Sequence, residues 1–146
     1  MKVRKSIAAA ATAVVLGATG ALVLPAVASA HSATHTLKYI AVSTASVGFT
    51  RATGGIQDTD VNAAGKTVGF DILYFKATSA STVAANTTVD TKGGFLYGTL
   101  TFHPRTGVVT NGKVTGGTGA FAKATGTIKV KTISRTRHAV TITYSG

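Results

Sequence analysis

The sequence predicts an all-β fold of about seven or eight antiparallel strands, arranged as a sandwich or a closed barrel. Three observations support this prediction. Val, Ile, Thr, Phe and Tyr dominate after residue 30, and no window repeats apolar residues at helical spacing. Apolar and polar residues alternate instead with a period of two, between short clusters rich in Gly, Asn and Asp. A barrel is favoured because so Thr- and Val-rich a chain would otherwise expose aggregation-prone strand edges.

The first 30 residues have the features of a secretory signal peptide. Three basic residues open the chain, an Ala-rich apolar run follows over 7–24, and "ASA" at 28–30 supplies the small residues of a cleavage site. The alternative is a retained membrane anchor, because the run nearly reaches the length that spans a bilayer. We expect cleavage after Ala30 and a secreted, single-domain protein of residues 31–146.

Four runs of the mature chain show the alternation that predicts strands. In chain order they are "KTVGFDILYFK" (66–76), "GGFLYGTLTF" (93–102), "GTIKVKTI" (126–133) and "RHAVTITYSG" (137–146). The first run is apolar on both faces, whereas the others are apolar mainly on one. A strand that is apolar on both faces is expected to be covered on both, which predicts a subunit interface outside the barrel.

The charge balance favours acidic partners. Cleavage would remove three of the 15 Lys and Arg residues, which leaves 12 against 4 acids and a net charge of +8. Cell-wall polymers, nucleic acids and anionic lipids attract such a surface, and Lys129, Lys131, Arg135 and Arg137 share one strand parity that suits an anionic wall polymer. The basic residues are nevertheless spread along the chain with few aromatics among them, so no specific nucleic-acid site is predicted. The simpler interpretation is a solvated basic surface that keeps the domain soluble.

The chain has no cysteine. Disulfides, thiol redox chemistry and Cys-ligated zinc are therefore excluded, and the domain must be held together by packing and backbone pairing.

The stretch "VTGGTGAFAKATG" (114–126) can be interpreted as a phosphate-binding loop, a flexible linker or a corner between strands. A phosphate loop should contain Lys followed by Ser or Thr, or should open a helix. This stretch has neither and leads into a predicted strand. We therefore predict a corner in which the glycines adopt positive φ and Phe121 folds back as the first core residue of the next strand.

The same residues resemble a family signature. "VTGGTGAFAKATGTIKV" resembles the GGTG-x-F-x-x-A-x-G signature of dirigent proteins and bacterial allene-oxide-cyclase-like barrels. "GIQDTDVNAAGKTVGFD" is similar to the family's acidic strand end, and "GGFLYGTLTF" to its Gly-Thr-Leu strand. The three matches occur in the family's order and span most of 37–144. The matched signature positions are Gly116, Gly117, Gly119, Phe121 and Gly126.

This resemblance implies an eight-stranded antiparallel barrel, related in architecture to the lipocalins, with an apolar central cavity and frequent assembly into trimers. It further implies that the protein steers or cyclises an apolar small molecule in the cavity without a metal or coenzyme. A dimer or trimer is therefore expected. Plant dirigent proteins commonly carry Arg just before the last signature glycine and an acid within the signature, where this chain has Thr125 and Ala120.

Four acids are available for catalysis, and three are candidates. Asp58 and Asp60 occupy the acidic strand end of the resemblance, and the alternative for both is a solvated turn position. Asp71 lies between apolar neighbours, where burial would raise its pKa and let a neutral carboxyl donate a proton. Its alternative is a rim position paired with a Lys.

Tyr39, Tyr74 and Tyr97 are predicted to line the cavity, although a tyrosine in a barrel wall also serves simply as core. Two other functions stay open. One is a non-enzymatic ligand-binding or cell-surface barrel. The other is copper binding by an N-terminal His31, with His35 and His103 available as further ligands, as in the histidine brace of lytic polysaccharide monooxygenases. A frayed terminus is the simpler interpretation of His31, and we predict no metal.

Overall fold

A computed structural model of the protein describes residues 33–146. The predicted signal peptide, its cleavage site after Ala30, and His31 lie outside the described residues. Within the described part of the chain, no helix is both long and apolar enough to cross a membrane.

Eight antiparallel strands close into a barrel, which confirms the predicted fold class. Each strand pairs with its neighbour in sequence, and β8 pairs with β1 to complete the wall. The strands are β1 (His35–Val47), β2 (Thr53–Val61), β3 (Thr67–Ala77), β4 (Val83–Thr91), β5 (Gly94–Phe102), β6 (Val109–Gly117), β7 (Thr125–Ser134) and β8 (Arg137–Ser145). Because side chains alternate across a strand, every second residue of each strand points into the barrel.

The hydrophobic core lies inside the barrel. Leu96 on β5 and Ile142 on β8 are fully buried there, and Val89 on β4 packs in the same cluster. The alternation read from "GGFLYGTLTF" and "RHAVTITYSG" therefore assigned these inward faces correctly.

The glycine stretch forms a corner between β6 and β7, as predicted. Gly116 has φ of 138° and Gly119 has φ of 56°, and both values lie in the region that favours glycine. The corner is fastened to β5: the Thr118 amide donates to the Phe95 carbonyl at 2.8 Å, and the Phe95 amide donates to Thr118 Oγ1 at 3.0 Å.

One detail of that prediction was wrong. Phe121 is not the first core residue of β7, which begins at Thr125; it lies in a one-turn 3-10 helix (Gly119–Phe121) inside the corner. Its ring is buried and meets the Tyr144 ring edge-on at a centroid distance of 5.4 Å. The turn places the Phe121 ring at the end of the barrel where β6 connects to β7, and the ring covers this end of the core.

The wall has a weakly paired seam between β6 and β7. Only Lys113 with Thr127 and Val114 with Gly126 are in register there, whereas β7 pairs with β8 along its whole length. Beyond those pairs the two strands bound a groove of about 320 Å³, lined by 109–112 and 127–130.

The outside of β3 is apolar, and its neighbours extend that surface. The exposed large apolar residues on β3 and β5 are Val68, Phe70, Ile72, Tyr74, Phe95 and Tyr97, which we call the outer apolar patch. Cross-strand register aligns Phe70 with Phe95 and Ile72 with Tyr97, and polar residues of β4 lie between the members of each pair.

Candidate functional site

The barrel encloses a cavity of about 160 Å³. Inward side chains from β1 to β8 line it, and most are apolar. Leu96 and Phe121 are buried but do not line the cavity, whereas Gly107 of the β5–β6 connection does. The cavity is therefore displaced toward the barrel end opposite the glycine corner. The polar members of the lining are Tyr39, Ser43, Asp58, Asp71, Thr87 and His138.

Three carboxyl groups converge on this cavity. Asp58 on β2 and Asp71 on β3 are direct cross-strand partners, and both line the cavity. Asp60 lies two residues after Asp58, so its side chain points to the same interior side, closer to the glycine corner. It is 1% exposed and does not line the cavity. The three predicted catalytic residues are thus brought together in one buried group, which we call the carboxyl cluster.

Few donors serve the carboxyl cluster. The Tyr39 hydroxyl donates to Asp71 Oδ2 across 3.4 Å, and Ser43 on β1 is the cross-strand partner of Asp58. Among the described residues, neither oxygen of Asp60 has a hydrogen-bond partner, and Asp58 Oδ1 has none. Buried carboxylates without donors are costly, so protonation is the expected response.

Burial raises the pKa of all three acids. Desolvation, followed by the negative charge of Asp71, raises the pKa of Asp60 to about 8. Desolvation, followed by the charge of Asp58, raises the pKa of Asp71 to about 7, while the neighbouring Asp60 and Tyr39 oppose the shift. Desolvation also raises the pKa of Asp58, opposed by Ser43 and His138. Near neutral pH, Asp60 is therefore mainly protonated and Asp71 is partly protonated.

Tyr39 stays neutral in this environment. Burial is the largest cause, and the negative charge of Asp71 the next, of a pKa raised well above the usual value for a tyrosine. The hydroxyl therefore acts as a hydrogen-bond donor rather than as a phenolate.

Two predicted cavity residues are corrected. Tyr74 is 61% exposed and Tyr97 is 39% exposed, and both belong to the outer apolar patch. The reason is strand parity: Tyr74 follows the inward Leu73, and Tyr97 follows the inward Leu96. Tyr39 does line the cavity.

The sequence interpretation missed three polar residues of the lining. His138 lies two residues before the inward Val140 on β8, and Ser43 lies two residues after the inward Ala41 on β1. Thr87 lies two residues before the inward Val89 on β4. The period-two alternation carried this information for all three positions.

The described histidines show no metal-site geometry. The His35 ring stacks on Tyr144 at 5.4 Å, and His103 Nδ1 accepts the Arg105 amide at 3.3 Å. Between residues 33 and 146, no group of three or more His, Asp or Glu side chains is arranged to hold a metal ion.

Comparisons with known proteins address the fold. No protein-family model and no curated protein matches the chain. A solved structure that is similar is that of pyocyanin demethylase, with a TM-score of 0.63 over 76% of this chain and 100% of that chain. At 17% identity the similarity shows a shared barrel architecture.

Proposed function

We propose that this protein is a secreted barrel that binds a small, mainly apolar molecule in its cavity and cyclises or isomerises it by proton transfer, without a cofactor. The observation that carries the proposal is the carboxyl cluster: acids with pKa values near neutrality at the wall of an otherwise apolar cavity. Two further points support it, namely the resemblance to dirigent and allene-oxide-cyclase-like barrels and the shared architecture with an enzyme named for demethylating pyocyanin.

The residues have distinct roles in this proposal. Asp71 gives a proton to the bound molecule, because it lines the cavity and is partly protonated near pH 7. Asp58, its cross-strand partner, accepts a proton from a second atom of the same molecule. One proton is gained and one lost, so the rearrangement needs no oxidant or reductant. After the product leaves, the proton returns from Asp58 to its cross-strand partner Asp71, and Tyr39 keeps the Asp71 carboxyl oriented.

Native mass spectrometry of the protein from culture medium, without added ligand, is the first experiment. It reports the mature N-terminus, the subunit number and any molecule retained in the cavity. A retained small organic mass supports the proposal and supplies the compound for assays. An empty barrel that takes up no compound from a library of small apolar molecules contradicts it.

We expect Asp71→Asn to lower turnover of the identified compound by about 10²–10⁴-fold, the usual contribution of general acid–base catalysis. Asn keeps the shape of the side chain but cannot release a proton. Incorporation of solvent deuterium into the product, followed by NMR, measures the step directly. Asp90→Asn is the matched control, because Asp90 is an exposed residue of β4. Unchanged turnover and product profile in Asp71→Asn would remove this residue from the mechanism.

A non-enzymatic barrel is the second candidate function. The exposed side chains of Lys129 and Lys131 on β7 favour it, since they present positive charge to an anionic cell-wall polymer. Retention of a ligand with no deuterium incorporation, together with salt-sensitive binding to anionic wall polymer, would favour this function over catalysis.

We also propose that the chain forms a dimer or trimer through the outer apolar patch. Ile72 is 50% exposed in the middle of that patch, with Phe70 and Tyr74 beside it. Ile72→Asp should therefore convert the oligomer to a monomer, measured by light scattering after size exclusion, without loss of the β-sheet circular dichroism signal. Asn111→Asp adds the same charge to the exposed face of β6 and should leave the oligomer intact. A monomeric wild type, or an oligomeric Ile72→Asp, would contradict this interface.

A further inference from the structure

The cavity and the outer surface have opposite charge character. The chain carries only four acids against 15 Lys and Arg residues, yet three of the four form the carboxyl cluster. In the described part of the chain, no Lys or Arg lines the cavity, and His138 is its only basic residue. Acidic side chains are therefore concentrated where the proposed ligand binds, and Asp90 is the one acid that lies elsewhere.

The cluster also lacks the hydrogen-bond donors that buried carboxylates need. Asp58 is 7% exposed and lines the cavity, and its Oδ1 has no partner among the described residues. The Asp58 side chain as a whole borders the cavity, and an uncharged hydrocarbon bound there would remove the water that solvates its charge. A ligand that carries N–H donors and a positive charge would offset that loss and neutralise the cluster.

The size of the cavity limits the body of the ligand. A cavity of about 150 Å³ holds one benzene ring, and this cavity measures about 160 Å³. Two aromatic side chains in its lining, Tyr39 and Phe102, add surfaces that attract cations.

We infer that the molecule bound in this cavity is an organic cation, with an apolar body of about one ring and a protonated amine that donates to Asp58. The inference rests on the proposed function for the cavity itself and adds the chemical class of its ligand.

Binding of such a cation should be linked to proton release. The titratable groups that face the site are Tyr39 from β1, Asp58 and Asp60 from β2, Asp71 from β3 and His138 from β8. Asp60 and Asp71 hold protons near neutral pH, since their pKa values are raised to about 8 and about 7. An amine cation favours the ionised acids and expels a proton, so its affinity should rise as the pH increases from 5.5 to 8.

Isothermal titration calorimetry of the secreted protein tests the inference with three probes. Benzylamine is the cation, benzyl alcohol is the neutral molecule with the same number of heavy atoms, and benzoate is the anion. At pH 8 benzylamine should bind at least about ten-fold more tightly than benzyl alcohol, a difference of about 1.4 kcal/mol, and benzoate should not bind. Benzylamine titrations in two buffers with different ionisation enthalpies should show net proton release. The preference for benzylamine over benzyl alcohol should be smaller at pH 5.5.

Substitutions test which side chain causes the preference for benzylamine over benzyl alcohol. Asp58→Asn should lower the ratio of benzylamine to benzyl alcohol affinity by at least about five-fold, because it loses the charged acceptor. Asp90→Asn should keep the ratio. If Asp58→Asn misfolds, the dependence of the wild-type affinity ratio on pH tests the inference without it.

The possible outcomes separate this inference from the proposed function. Benzyl alcohol binding as tightly as benzylamine, with no proton release, would overturn the cation while leaving the cavity as a binding site. Absence of binding by all three probes would overturn both. Selective benzylamine binding supports the inference, even if Asp71→Asn later proves to leave turnover of the natural compound unchanged.

Discussion

Raising the pH from 5 to 7 is expected to destabilise the folded domain by about 2 kcal/mol through Asp71 alone. Its pKa is about 7 in the folded state and 3.8 when exposed, so the unfolded chain releases this proton first. Stability is then greatest below pH 4 and falls by up to about 1.4 kcal/mol per pH unit until the folded pKa is reached. The pKa of Asp60, raised to about 8, shifts stability in the same direction. Most proteins behave oppositely, because their carboxylates are paired in the native state.

Urea denaturation at several pH values measures this effect. The wild type should have a higher midpoint at pH 5 than at pH 7, while Asp71→Asn should have a flatter profile because the amide does not titrate. Asp60→Asn should likewise be more stable than wild type at pH 8. At this pH the wild type must either ionise Asp60 in its buried site or keep it protonated far above the pKa of an exposed carboxyl group. Asp90→Asn should keep the wild-type slope. A wild-type midpoint that rises from pH 5 to pH 7 would show that the cluster is solvated.

Gly126→Ala is expected to lose about 3 kcal/mol or more of folding free energy, the upper range for overpacking. A Cβ at this position would overlap the carbonyl oxygen of Thr143 and lie 2.7 Å from the Cα of Tyr144. Both are backbone atoms of β8, so neither can rotate away. Gly126 also belongs to one of the two residue pairs that join β6 to β7. The close approach of two strands therefore explains this signature glycine without any role in phosphate binding.

Gly55→Ala provides the comparison for that variant. A Cβ there would meet only side-chain atoms, Val47 Cγ2 at 3.1 Å and Tyr74 Cε2 at 3.4 Å. Both belong to exposed residues that can adjust, so a change of less than about 1 kcal/mol is expected. Chemical denaturation of both variants at one pH measures the difference. Equal stabilities would mean that β8 moves aside at Gly126 without cost.

The strands were predictable because their information is local. Alternation with a period of two placed Asp71 on the inward face with Leu73, and it would equally have placed His138 with Val140. Tyr74 and Tyr97 were misassigned because residue type was given more weight than this alternation. Strand parity is the stronger guide in a barrel, since one step along the chain moves a side chain from the cavity to the surface.

The carboxyl cluster was predictable only in part. The acidic strand end and the apolar flanks of Asp71 identified the three acids, but their convergence depends on the pairing of Asp58 with Asp71 across β2 and β3. Register of this kind is set by the connecting turn and by irregularities such as the shift between Asp60 and Val61. The position of Phe121 depended likewise on the turn geometry of the corner, which glycine content alone does not specify.

The seam between β6 and β7 affects how long a bound molecule stays. Val109, Ile128 and Val130 line both the groove at this seam and the central cavity, so the two spaces are bordered by the same side chains there. Because only two residue pairs join β6 to β7, separating these strands costs far less free energy than separating any other neighbouring pair of strands. We expect residence time to be governed by transient parting of these two strands, an event that amide hydrogen exchange at Asn111 and Ile128 would report. A bound molecule would then leave through the barrel wall between β6 and β7, while the other seven strand pairings stay intact.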